Sequence, residues 1–329
     1  MKTILFGILL FANTLLATAQ PTYAKYTDYD KIKRRPLVVV TLEVDQKKID
    51  KLNEKLSKTK LSKRYKKLEK EIEEEQNFVD VYNNNIKNLV KKYLNYHPEI
   101  TYMSNSEYNR IEPEAIKQKK YTVLWFTDTS KDFENFGIYQ SNGVSIPTLN
   151  YSRIENANNN IDYSIYIPYY GKNYHVLTKT NMELTFRLML QHMDYIEMNK
   201  KNKFTFIKYA RNQMAKNCHK LAGNDIYIAA DNIGKNTTIE EINAKYKKAK
   251  VKLVSHKELE KIIDANENKV IAIVVPLGIA GKISSKVLFV RILINASDNT
   301  IYTIKGSRMG EFYDGKFRAK EFKEYGRCK

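Results

Sequence analysis

One order of elements occurs twice in this chain, and it constrains the fold more than any other feature. Leu37 to Val44 is a continuous β-branched run, the mark of a strand buried on both faces. Asp45 then opens a long helical segment reaching to about Leu94. Glu99 to Met103 is a short strand. Ser104-Asn105-Ser106-Glu107 is an S-x-x-E capping box opening a helix with Tyr108 and Ile111, and Tyr121 to Phe126 is another buried strand. The second half repeats the order with Ile226 to Ala230, a helix over Ile239 to Lys248, and Val251 to Val254. A second capping box, Ser255-His256-Lys257-Glu258, and the strand Val270 to Val275 complete it. Strand, helix, strand, capped helix, strand is a βαβαβ unit, which requires parallel strands joined by crossover helices.

Each half then reads as antiparallel strands. The first runs through Gly137 to Asn142, Ser145 to Tyr151, Ile161 to Ile167 and Tyr174 to Thr178; the second through Val287 to Ile294 and Ile301 to Ile304. The expected fold is therefore α/β, with two βαβαβ-type lobes arising by internal duplication. Each lobe ends in antiparallel strands, and a long charged helix or helical hairpin is inserted in the first. Residues 20–36 read as an extended lead-in and 37–178 as the first lobe, with its helical segment at 46–94. Residues 179–329 read as a helical pair followed by the second lobe. In that pair Thr180-x-x-Glu183 signals one helix start, and Phe204 to about Leu221 forms the other helix. A small helix around Phe317 to Tyr325 closes the chain.

Within 46–94, Tyr65, Leu68, Ile72, Val79, Tyr82, Ile86, Leu89 and Tyr93 keep alternating three- and four-residue spacing, a heptad seam broken at Glu75. Ser57-Lys58-Thr59-Lys60 interrupts the earlier phase of Ile49, Leu52 and Leu56, so one rod and a hairpin both fit. The seam serves either as a coiled-coil surface for a protein partner or as a stripe packed on the protein's own sheet; the second reading is favoured.

The N-terminus gives the location. Lys2, the apolar run from Ile4 to Leu16 and the small-residue site Ala17-Thr18-Ala19 have the layout of a secretory signal peptide over residues 1–19. The expected product is an exported protein, periplasmic or secreted, with no transmembrane segment after cleavage. The formal charge of the full chain, +19, favours an anionic polymer as partner, although the lysines look scattered rather than gathered on one face. With 12 glycines in 329 residues, glycine-rich phosphate loops are nearly excluded. The stretch Gly278 to Ser284 fails that pattern, because Pro276 stands at its first glycine and Ile283 at its hydroxyl.

Three strands end in an aspartate: Asp45, Asp128 and Asp231. Carboxyl ends of parallel strands form the crevice where ligands bind, so these carboxylates could hold a metal that activates water. The competing reading makes each an N-cap. His97, His175, His192, His219 and His256 fall on separate elements without ligand-like spacing, and no cofactor or metal motif is present. Tyr163, Tyr166, Tyr169, Tyr170 and Tyr174 could form an aromatic platform or coat a half-exposed sheet. Cys218 and Cys328 would be bridged in an oxidising compartment, or else remain two thiols. The expected function is non-catalytic binding or scaffolding at the cell envelope. The alternatives are a metal-assisted hydrolase using the strand-end aspartates and an electrostatic binder of anionic polymers.

Overall fold

The computed structural model describes residues 26–128, 147–157, 161–170, 177–201, 204–279, 286–306 and 315–327, leaving aside the side chains at 74, 127–128, 277–279 and 286–288. The residues expected to form the signal peptide, a strand over 137–142, Tyr174, His175 and Cys328 lie outside the described residues.

The first lobe contains α1 (Tyr26–Arg34), β1 (Leu37–Thr41), α2 (Gln46–Ser57), α3 (Ser62–Tyr93), β2 (Ile100–Ser104), α4 (Asn105–Gln118), β3 (Thr122–Asp128), β4 (Pro147–Arg153) and β5 (Tyr163–Tyr166). Helices α5 (Lys179–Met198) and α6 (Phe206–Asn217) follow. The second lobe has β6 (Ile226–Ala229), α7 (Ile239–Lys245), β7 (Val251–Val254), α8 (His256–Asp264), β8 (Val270–Ile279), β9 (Lys286–Asn295), β10 (Ile301–Gly306) and α9 (Ala319–Tyr325).

The two sheets have the same topology. In the first, β1 lies between β2 and β3, parallel to both, and β4 and β5 continue antiparallel beyond β3. In the second, β6 lies between β7 and β8, parallel to both, and β9 and β10 continue antiparallel beyond β8. The repeated βαβαβ order in the sequence is thus a repeated sheet order in space.

Two local expectations are revised, and an alternative left open is decided. Residues 26–34 form a helix rather than an extended lead-in, because Tyr29 and Ile32 fall three apart and both bury their side chains in the core. Helix α5 is capped by Thr178, not Thr180. The Thr178 hydroxyl accepts from the Asn181 amide and the Asn181 side chain reaches back, while the Thr180 hydroxyl donates to Asp264. Thr178 therefore opens a helix instead of ending a strand. The segment 46–94 is a hairpin, with α2 and α3 separated at Lys58–Leu61.

Each sheet carries helices on both faces, which explains its runs of apolar residues without alternation. Leu37 and Val39 pack with Tyr82, Ile86, Leu89 and Val90 of α3, whereas Val38, Val40 and Val123 pack with Tyr108 and Ala115 of α4. In the second lobe Ile271 and Ile273 face Leu259, Ile262 and Ile263 of α8. Ile226, Ile228 and Val270 face Ile242 of α7 and Phe322 of α9.

The lobes share one core, built around α5, whose Leu184, Phe186, Leu188, Met189, Met193 and Ile196 are all buried. They meet by unlike faces. The first lobe turns its α3 side inward and the second its α8 side, the counterpart of α4. The backbone also stitches them together. Beyond Tyr227↔Ile271 the edge of β8 is no longer covered by β6, and Tyr169 exchanges both its N–H and C=O with Val274, at 2.8 Å each. Close by, Gly315 has φ +60°, and a Cβ there would lie 2.3 Å from the Tyr169 hydroxyl.

The C-terminal helix is locked by a buried ion pair. The Arg291 guanidinium on β9 lies 2.8 Å from the Glu321 carboxylate on α9, with the two side chains 0% and 2% exposed. Arg291 also donates to the carbonyls of Lys316 and Gly306. Cys218, just after α6, is disulfide-bonded, and Cys328 is the only other cysteine in the chain.

Candidate functional site

The carboxyl ends of the parallel strands bring together acids and helix starts in the same way in both lobes. Asp231 stands two residues beyond Ala229, the last residue of β6, and His256 two residues beyond Val254, its register partner on β7. Their side chains meet, with Asp231 Oδ1 2.6 Å from His256 Nε2, and both are partly exposed. In the first lobe Glu43 stands two residues beyond Thr41, and Ser106 two beyond Ser104, its partner on β2. Glu43 accepts from the Ser106 amide at 2.7 Å and from its hydroxyl at 2.8 Å. These bonds hold the Glu43 carboxyl below the usual carboxylate range.

The cause is local. Parallel neighbours end side by side, and in each lobe the second strand runs directly into a serine-capped helix. Ser104 and Glu107 form a complete capping box on α4, and the Ser255 hydroxyl accepts from the Glu258 amide on α8. A carboxylate arriving from the neighbouring strand meets the positive end of that helix. In the second lobe the group it finds is an imidazole, which donates Nε2–H to Asp231. Nδ1 makes no hydrogen bond among the described residues. A carboxylate that orients an imidazole is half of a general-base arrangement. Lys316 donates to the Asp231 backbone carbonyl at 2.9 Å and so places the C-terminal segment beside the pair.

Of the three sequence candidates, the two whose side chains are described, Asp45 and Asp231, do not meet. Asp45 caps α2, its side chain accepting from the Lys48 amide at 3.0 Å, and Asp231 pairs with His256 in the other lobe. Asp128 ends β3 at the level of Pro147, and its side chain lies outside the description. Among the described residues no three His, Cys, Asp or Glu side chains come close enough to hold a metal ion.

Tyr163, Tyr166, Tyr169 and Tyr170 are core residues rather than a surface platform, and Tyr174 lies outside the described residues. Tyr170 donates to Glu260. Tyr163 belongs to a buried network that sequence spacing gave no means to find. It lies opposite Tyr151 across β4 and β5. His192 Nε2–H donates to the Phe204 carbonyl at 2.9 Å, which leaves Nδ1 to accept from the Tyr163 hydroxyl at 2.9 Å. Burial among Tyr163, Phe206 and Tyr209 pushes the His192 imidazole down to about 3. His97 Nδ1–H donates to the Arg35 carbonyl and Nε2 accepts from Tyr151 at 2.5 Å; burial lowers its proton affinity too.

The seam of the long helix is used inside the molecule. Val79, Tyr82, Ile86 and Leu89 are buried, Tyr82 donates to the Val40 carbonyl, and Asn83 both donates to and accepts from the Leu42 backbone. Between Ser62 and Asn77, by contrast, Leu68 is the one buried side chain among those described, and α2 answers it with Ile49 and Leu52. Past Leu68 the arm leaves Leu61 70% and Tyr65 40% exposed. Its lysines are gathered rather than scattered, a feature visible in the sequence between Lys55 and Lys67.

No protein-family model, curated protein or solved structure matches this chain. Among the described residues no helix is long and apolar enough to cross a membrane.

Proposed function

We propose that this chain is an exported, periplasmic or secreted, non-catalytic binding or scaffolding protein of the cell envelope, which engages its partner through the α2–α3 arm. The observation that carries this reading is the tip of the arm. There an aliphatic and an aromatic side chain are exposed beside a concentration of cations, while the root is fixed to β1 by Tyr82 and Asn83. A rigidly rooted arm with an unsatisfied tip is suited to presenting a contact surface. The test is affinity capture from envelope extract with residues 20–329 as bait, at low and high salt, beside the variant Leu61→Ser/Tyr65→Ser. A partner retained by the parent and lost by the variant supports the reading, and identical capture by the two sinks it.

A second reading, a metal-assisted hydrolase, is favoured by the exposed Asp231–His256 pair. It requires further ligands beyond those two groups. Divalent-cation-dependent cleavage of ester or phosphodiester substrates that disappears in His256→Ala would establish it. Activity untouched by that change would remove the pair from consideration.

A further inference from the structure

We propose that the tip of the α2–α3 arm docks on an anionic membrane surface. This rests on the binding reading above and names its partner class. From Lys55 to Lys67, thirteen residues carry seven lysines or arginines and no acid. Lys58 and Lys67 are held by Glu54 and Glu71. Lys55, Lys60, Lys63, Arg64 and Lys66 form no ion pair among the described residues.

The start of α3 breaks two rules of helix formation. Its N-cap is Leu61, which offers no side-chain acceptor, and its first turn contains no acid. Lys63 and Arg64 stand there instead, repelled by the positive end of their own helix. A departure from local consistency at an exposed tip is a mark of function. An anion supplied from outside would satisfy both the free amides and the cations.

Leu61 and Tyr65 decide what kind of anion. They lie one helical turn apart on the stripe that continues from Leu68, and both are exposed. A soluble polyanion would neutralise the lysines and leave these two side chains in water. A bilayer interface accepts cations at its phosphates and apolar side chains just beneath them. The chemistry further along α3 sets the orientation. Glu69, Glu71, Glu73, Glu74 and Glu75 follow within seven residues, and an anionic surface repels them, so the arm meets it end-on. At 1.5 Å per residue, the exposed stretch of α3 holds the lobes roughly 25 Å from that surface.

The test is co-sedimentation of residues 20–329 with vesicles of phosphatidylcholine, alone and with phosphatidylglycerol, at low and high salt. Binding is expected with the anionic vesicles alone and should weaken as salt rises. Each charge reversed in Lys60→Glu/Lys63→Glu/Arg64→Glu should lower partitioning by at least about fivefold. Leu61→Ser/Tyr65→Ser should lose vesicle binding at least tenfold, on the order of 1.4 kcal/mol, and keep whatever affinity the protein has for inorganic polyphosphate. Far-UV circular dichroism confirms that the variants are folded, and a blue shift of Leu61→Trp emission on anionic vesicles gives an independent readout. Absence of binding by the folded parent, or binding indifferent to the charge reversals, overturns the proposal. Vesicle binding unchanged in Leu61→Ser/Tyr65→Ser also overturns it, in favour of a polymer site. If the parent captures an envelope partner yet binds no vesicles, the binding reading stands and the membrane contact alone falls.

Discussion

Tyr151 and Tyr163 face each other across β4 and β5, and each gives its hydroxyl proton to a different buried imidazole, His97 and His192. One pair of cross-strand neighbours thus ties the loop after α3 and the central helix α5 to the same sheet. Both imidazoles are held neutral by burial, with His192 at about 3 against an ordinary 6.5.

The sign of the pH dependence follows. The unfolded chain binds these protons more tightly than the folded one, so the stabilisation is complete above pH 6.5 and is lost as pH falls toward the folded values. Between pH 6.5 and about 5, above the range where carboxylates titrate, His192 costs up to roughly 2 kcal/mol, and His97 adds to the loss in the same direction. Denaturant midpoints measured at pH 7 and pH 5 should differ accordingly, and His192→Gln should flatten the slope. Equal midpoints would refute this account of the network.

The C-terminal helix should prove sensitive to single changes at its ion pair and tolerant of a double one. Glu321→Ala leaves the Arg291 guanidinium buried without its carboxylate, an expected loss of about 3–5 kcal/mol. Arg291→Met/Glu321→Leu removes both charges and should recover most of that loss. A double-mutant cycle by urea unfolding measures the coupling, and independent, additive losses would argue against it.

Gly315→Ala tests the seam between the lobes. The methyl group would enter the space of the Tyr169 hydroxyl and ring carbons of Phe289, in a left-handed backbone that disfavours a side chain. Overpacking costs about 1–3 kcal/mol and the backbone about 1–2 kcal/mol more. Thermal melting should show the drop, together with faster hydrogen exchange at the Tyr169 and Val274 amides. A melting temperature within a degree of the parent would count against this picture.

Peptide mapping without reductant should recover Cys218 joined to Cys328. In the chain-entropy model, closing a loop of about a hundred residues stabilises by roughly 4 kcal/mol, so Cys218→Ser should lower the melting temperature by on the order of 10 °C. Titration of two free thiols in the denatured, unreduced protein would disprove the bridge.

The sheets were legible because buried parallel strands announce themselves. Val38 and Val40 face one helix while Leu37 and Val39 face another, which leaves no polar position in the run. The serine caps were legible as well, since the S-x-x-E signature describes a bond between near neighbours. Helix α1 was not, because its inward face is only three residues, Tyr29 and Ile32 with Tyr26 partly buried. The Asp231–His256 and Glu43–Ser106 meetings were hidden for a different reason. Each joins residues on neighbouring strands, and only strand register reveals that both lie two steps past the last paired residues. The inward tyrosines were misleading because a strand buried on both faces has no outer side on which to display them.

The packing of unlike faces has a consequence for growth. Two copies related by a two-fold axis would bury the same patch and stop at two. Units stacked the same way up repeat the contact head to tail, and such a stack has no intrinsic end. Here α4 covers one outer face and α7 with α9 the other. Peeling α9 from the second sheet would bare part of the apolar face that α9 shares with α7, around Ile226 and Val270.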